Sequence, residues 1–176
     1  MGKPLKLALL LAFFLIAAAP AISQSKAKLK DDISAFAGVW KLSSRETTPR
    51  MSDQAPEFYF LEISTAGAEF KVERRYKYSG ERIERTEIYY TDKRGEVNKY
   101  LKYNSDGFDE RKTKTVLKGG RVVIRRSYKT QGGWADITET YSLSEDRNTL
   151  VFESVDKHAW PVPLEFSWRD TFVRVL

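Results

Sequence analysis

Cysteine is absent from the 176 residues and histidine occurs once. Without thiols the chain has no disulfide, no thiol for lipid attachment and no cysteine-built zinc, haem or iron–sulfur site. If it works in an oxidising compartment, it must stand there on packing alone. The lone His158 lies in VDKHAWPVP, which reads as a loop between the last two strands, and it lacks the companion ligands of a metal site. No metal and no cofactor is expected. Also missing are a nucleophile elbow, a P-loop and a dinucleotide fingerprint. Asp106 and Asp109 stand beside a glycine turn and read as turn formers rather than as a catalytic pair. With these constellations gone, no enzyme is expected.

Long apolar runs are scarce as well. The single one, Leu7 to Ala19, follows Lys3 and Lys6 and precedes small residues, the pattern of an export signal over residues 1–23. It falls short of the ~20 apolar residues of a membrane span, so no stable span is expected after cleavage. Ala21-Ile22-Ser23 before Gln24 has the small-x-small form of a cleavage site, and Ala19-Pro20-Ala21 offers a second, so cleavage is expected after Ser23 or Ala21. The exported chain would then be periplasmic or extracellular. Acidic residues are outnumbered, 24 against 30 basic, for a net charge of +6, two units of which leave with Lys3 and Lys6. Lysine, arginine and glutamate alternate along the chain as they do on solvated outer strand faces and blunted edges, and no nucleic-acid partner is expected.

What is abundant is aromatic: 10 Phe, 9 Tyr and 4 Trp. From Phe58 the chain alternates in strands near Phe58–Ser64, Glu69–Tyr78, Arg82–Thr91, Glu96–Tyr103, Glu110–Leu117, Arg121–Thr130, Trp134–Leu143, Thr149–Val155 and Glu165–Val175. Turn chemistry punctuates them: Ser79-Gly80, Asp92 to Gly95, Asp106-Gly107, Gly119-Gly120, Gln131 to Gly133 and Glu145 to Asn148. A first strand is read at Phe36–Ser43. No helix of ordinary length interrupts the series, which excludes parallel α/β folds. The reading is all-β: one antiparallel up-and-down barrel of about 8–10 strands over residues 36–176. Residues 24–35 carry Leu29, Ile33 and Phe36 at helical spacing, either a short helical turn plugging one end or a loose leader. Glu46–Glu57, with Pro49 and Pro56, reads as a loop.

Strand alternation assigns faces. Phe70, Val72, Tyr76 and Tyr78 share one side of their strand against Lys71, Glu73, Arg75 and Lys77. Ile88 and Tyr90 share a face, Val97 and Leu101 share one with Lys99, Ile124 and Tyr128 share one with Arg126, and Trp168 and Phe172 share one with Asp170. Apolar faces that each carry a polar residue suit a wet cavity better than a dry core, where an unpaired charge costs several kcal/mol. The expected lining is therefore Tyr76, Tyr78, Tyr90, Arg126, Tyr128, Trp168 and Asp170, with Arg126 either orienting a ligand's polar head or paired with Asp170. A small hydrophobic or amphipathic partner follows. The alternative is a filled barrel that binds a protein or envelope partner through loops, notably around Trp160, and strand faces.

FAGVWKLSS at Phe36–Ser44 resembles the first strand of the calycin superfamily, with the G-x-W of lipocalins and the F-x-G-x-W-K-L opening of fatty-acid-binding proteins. The run Leu117–Val151 is similar in rhythm to the late strands of the latter, and Phe172–Arg174 resembles a closing strand. The whole is most similar to exported lipocalin-like proteins of bacteria. The resemblance implies a ligand-holding barrel, and the reading that the first and last strands lie side by side stacks Arg174 on Trp40 beside Gly38. Two features depart from the pattern. The two-helix lid of fatty-acid-binding proteins is replaced by the proline-bearing loop Glu46–Glu57, and their R-x-Y lipid grip by Asp170 and Phe172.

Overall fold

The computed structural model describes residues 32–48, 56–78, 80–101, 108–130, 133–159 and 163–175. A 3-10 turn at Ile33–Phe36 is followed by β1 (Gly38–Thr48), β2 (Phe58–Ala66), β3 (Glu69–Tyr78), β4 (Glu81–Tyr90), β5 (Glu96–Leu101), β6 (Phe108–Lys118), β7 (Arg121–Thr130), β8 (Gly133–Leu143), β9 (Thr149–His158) and β10 (Leu164–Val175). They form one 10-stranded sheet in the order β4-β3-β2-β1-β10-β9-β8-β7-β6-β5, each neighbour antiparallel. This is a nearly closed antiparallel up-and-down barrel. Among the described residues no helix is long and apolar enough to cross a membrane.

The first and last strands meet inside the sheet. Trp40 stands opposite Arg174 in the β1–β10 register, and the guanidinium lies over the indole, 4.2 Å from its centroid. Arg174 also donates to Ala37 O (2.7 Å) and Ala35 O (3.0 Å), while Trp40 Nε1 donates to Phe36 O at 3.0 Å. The 3-10 turn is thus held over the closed end by both halves of the stack. Gly38 permits this approach: its φ is +143°, and a Cβ there would sit 2.5 Å from Arg174 Nη1. Phe36, Trp40, Phe70, Tyr141 and Phe172 fill this end completely, with Phe36 meeting Phe70 edge to face at 5.8 Å.

Between the edge strands β4 and β5 side chains replace the backbone ladder. Asn98 donates through Nδ2 to Ile88 O and accepts from Ile88 N through Oδ1, both at 2.8 Å, as a neighbouring strand would. Glu96 accepts from Tyr90 N at 3.2 Å and from the hydroxyls of Thr113 and Thr115. The phenols of Tyr89 and Tyr100 meet at 3.2 Å.

Several expectations are corrected. β1 continues to Thr48, beyond where the Glu46–Glu57 loop was expected to begin, because Glu46, Thr47 and Thr48 pair with Arg169, Trp168 and Ser167 of β10. His158 closes β9 instead of lying in a loop, 3.1 Å from Asp156. On β4 the buried face carries Glu87 and Tyr89, and on β5 it carries Asn98 and Tyr100, so Ile88, Tyr90 and Val97 point outward. The leader 1–23, most of 24–35 and Trp160 lie outside the described residues.

Candidate functional site

Above the filled end the interior turns polar. Arg74 of β3 is fully enclosed, since the strand's alternation aims it inward with Val72 and Tyr76. It donates Nε to Glu87 at 2.7 Å, Nη1 to the Tyr59 hydroxyl at 2.6 Å and Nη2 to the Tyr141 hydroxyl, with the Phe152 ring 4.9 Å below. Burial alone would lower its pKa, but Glu87 and the phenols raise it well above the ordinary value. It is a permanent cation. Burial pushes the Tyr59 and Tyr141 phenols up in turn. They stay protonated, so each accepts from Arg74 and keeps a proton to donate.

Arg126 and Asp170 both point inward, but not to each other. Arg126 donates Nη2 to Glu139 at 2.9 Å, with Nη1 2.7 Å from the other carboxylate oxygen, and lies 4.4 Å over the Tyr100 ring. Burial raises the pKa of Glu139, yet the charge and hydrogen bond of Arg126, with Arg74 and Arg85 behind them, hold it at about 2. The adjacent strand β8 supplies this acid, whereas β8 and β9 both separate Arg126 from Asp170. Asp170 takes a two-pronged grip from Arg45, Nε to Oδ1 and Nη2 to Oδ2, both at 2.6 Å. Arg45 faces inward only because β1 shifts register between Leu42 and Ser44; Gly38, Trp40 and Leu42 turn in before the bulge, Arg45 and Thr47 after it.

These pairs surround a hollow of about 350 Å³ lined by Arg45, Tyr59, Tyr76, Arg85, Phe152, Phe166 and Trp168, among others. Tyr59 and Tyr76 pack at a tilt of 54° with ring centroids 5.2 Å apart. Arg85 is the member held by charge alone. Its Nε lies 3.3 Å from Glu87 Oε1, too misaligned for a hydrogen bond, and that Nε has no acceptor among the described residues. Glu87, Asp170 and Glu139 are taken by Arg74, Arg45 and Arg126, so Arg85 leaves one positive charge in excess. The hollow therefore offers aromatic walls, a guanidinium and a phenol proton from Tyr59.

Of the residues singled out from the sequence, the structure brings Tyr76, Trp168 and Asp170 to the hollow. Arg126 is buried behind it on Glu139. Tyr128 is half-buried with Arg111 3.7 Å over its ring and does not line the hollow. Tyr90 sits on the outer face under Arg94, 4.5 Å away, because β4 presents its other face inward. The side chain of Tyr78 lies outside the described residues. Sequence reasoning missed Arg45, Tyr59, Arg74 and Arg85. Arg74 and Tyr59 were recoverable from alternation alone; Arg45 is hidden by the bulge.

No protein-family model and no curated protein sequence matches the chain. Among solved structures, a fatty acid transporter superposes with a TM-score of 0.49 at 12% identity, over 80% of this chain and 96% of its own. The odorant-binding protein of bovine nasal mucosa superposes with a TM-score of 0.40 at 13% identity, over 84% of this chain and 76% of its own. The same values hold for the bovine protein in complex with undecanal.

Proposed function

We propose that the protein is exported and works as a binding protein rather than an enzyme, holding a small, partly apolar molecule with one anionic head in the hollow between β1, β3, β4 and β10. The observation that carries this reading is Arg85: a guanidinium that makes no hydrogen bond among the described residues and lines a hollow walled by Tyr59, Tyr76, Phe166 and Trp168. Since Glu87 holds it by charge alone, a carboxylate-like head can accept from its terminal nitrogens while the aromatic walls take the tail. A volume of about 350 Å³ is at the small end of ligand pockets, so a short chain or a single ring system fits best. Export rests on the leader over residues 1–23.

The test uses protein recovered from the envelope or medium, whose intact mass should start at Gln24 or Ile22; a mass that begins at Met1 would contradict export by cleavage. Anilinonaphthalene sulfonate, an aromatic anion, should brighten on binding and be displaced by octanoate far better than by octanol. Arg85→Met should weaken octanoate displacement by at least tenfold, the loss of a charged hydrogen bond of ~1.5–3 kcal/mol, while Lys114→Gln on the outer surface leaves it unchanged. Equal displacement by octanol and octanoate would remove the anionic head from the reading.

A further inference from the structure

The outward charges are distributed unevenly around the barrel. On β2, β3, β4, β9 and β10 outer cations are matched to carboxylates: Lys71 to Glu73, Arg75 to Glu62, Arg82 to Glu84, Lys157 to Glu165 and Arg169 to Glu153, at 2.6–3.0 Å. On β6 and β7 the pattern stops. Lys112, Lys114, Lys118, Arg121, Arg125 and Lys129 alternate outward, Glu110 is the one carboxylate in step with them among the described residues of those two strands, and Asp136 of β8 borders them opposite Ser127. None of these cations has an ion pair among the described residues. Lys114 stands directly opposite Arg125, and Lys118 opposite Arg121. Like charges in directly opposed positions destabilise a sheet, so the face carries repulsion that an external anion would relieve.

The same face is not purely polar. Lys112 pairs in register with Val97 of β5, which is 55% exposed, and Lys129 with Trp134 of β8, which is 58% exposed. The turn after β4 brings Lys93 to the rim of an open groove of about 750 Å³ over Val97, Val116 and Val123. Arg94 at that rim is already occupied by Asp92 and the Tyr90 ring. Cations set around an exposed valine and two half-buried ones, with a tryptophan at the border, match a bilayer interface, where anionic headgroups lie over apolar carbon and indoles settle at headgroup depth.

We infer that the outer face of β5–β7, bordered by Trp134, docks on a bilayer surface that carries anionic phospholipid. The inference goes beyond ligand holding and does not depend on it, because these residues are on the opposite side of the strands from the hollow. Each Lys or Arg near such a surface contributes ~1 kcal/mol, so the approach of several gives appreciable binding at low salt that weakens as salt is added.

The test is sedimentation of the mature chain with vesicles of phosphatidylcholine alone or mixed with phosphatidylglycerol. Binding to the mixed vesicles and not to the neutral ones, lost at high salt, is the expected result. Lys114→Gln/Arg125→Gln should lower the partition coefficient about 25-fold, from ~1 kcal/mol per charge, and Lys114→Gln alone about fivefold. Lys41→Gln, at an exposed lysine with no ion pair among the described residues on the far side of the barrel, should change it less than twofold. Equal losses for Lys41→Gln and Lys114→Gln would mean net charge alone and overturn the assigned face. Absence of vesicle binding overturns the proposal, as would retention on a short DNA duplex with none on vesicles.

Discussion

An arginine inside a barrel needs a carboxylate within reach, and which one it finds turns on single residues of parity. Alternation alone tells that Arg126, Asp170 and Trp168 face inward, since each stands at even spacing from obvious core residues. It does not tell that Asp170 belongs to Arg45, because one extra residue near Ser43 reverses the face of β1, and the serines there give no apolar signal to mark it. The Trp40–Arg174 stack was legible for the opposite reason: a glycine, a tryptophan and a terminal arginine fit one geometry and few others. At this scale the closure can be weighed. Trp40→Ala empties a fully buried site and should cost about 3–5 kcal/mol in denaturant unfolding. Arg174→Ala should cost about 1–2 kcal/mol, because the carbonyls of Ala35 and Ala37 that it leaves are near enough to solvent to find water. Equal and negligible losses would show that the stack holds nothing.

Among the elements, the strand series and its turns were readable throughout, and the faces of β4 were readable in principle. Tyr78 pairs with Glu81 across the turn at Ser79-Gly80, and directly paired residues share a face, so an inward Val72 and Tyr76 force Ile83, Arg85, Glu87 and Tyr89 inward. Counting apolar residues on β4 does not decide it, since each face carries two, Ile83 and Tyr89 against Ile88 and Tyr90, and the inward one also carries the charges of Arg85 and Glu87. The seam beside β4 had no such signal, because nothing in VNKYL announces that an amide will act as a strand. Asn98→Ala should leave Ile88 N–H and C=O without partners and cost about 1–3 kcal/mol, with amide exchange at Ile88 accelerated more than at β1 or β10. Asn98→Asp, which keeps an acceptor but loses the donor, should fall between. Unchanged exchange at Ile88 in the alanine variant would mean that Glu96 and the Tyr89–Tyr100 contact hold the seam unaided.

For the molecule as a whole, the interior pairs set the response to pH. Glu139 titrates at about 2 in the fold against an ordinary 4.5. Its contribution is therefore complete above pH 4.5 and is lost as the pH falls towards 2. Tyr100 is the mirror case: burial, partly offset by Arg126, raises it to about 12, so its contribution is complete below pH 10 and is lost as the pH rises towards 12. Thermal melts should show a plateau with a fall at each end, and Glu139→Gln should be less stable at neutral pH and flatter between pH 4.5 and 2. An acid limb as steep as that of the parent chain would place the acid sensitivity elsewhere. The order of the strands adds a constraint of a different kind, in time. β1 is made before its partners, yet its pairing with β2 spans Gly38 to Lys41 alone, and its long partner is β10, the last strand of the sheet. Trp40 must wait for Arg174, with nearly the whole chain forming the loop between them. Such long-range closure is slow to form, so the barrel stays open at the β1 side until β10 has joined it.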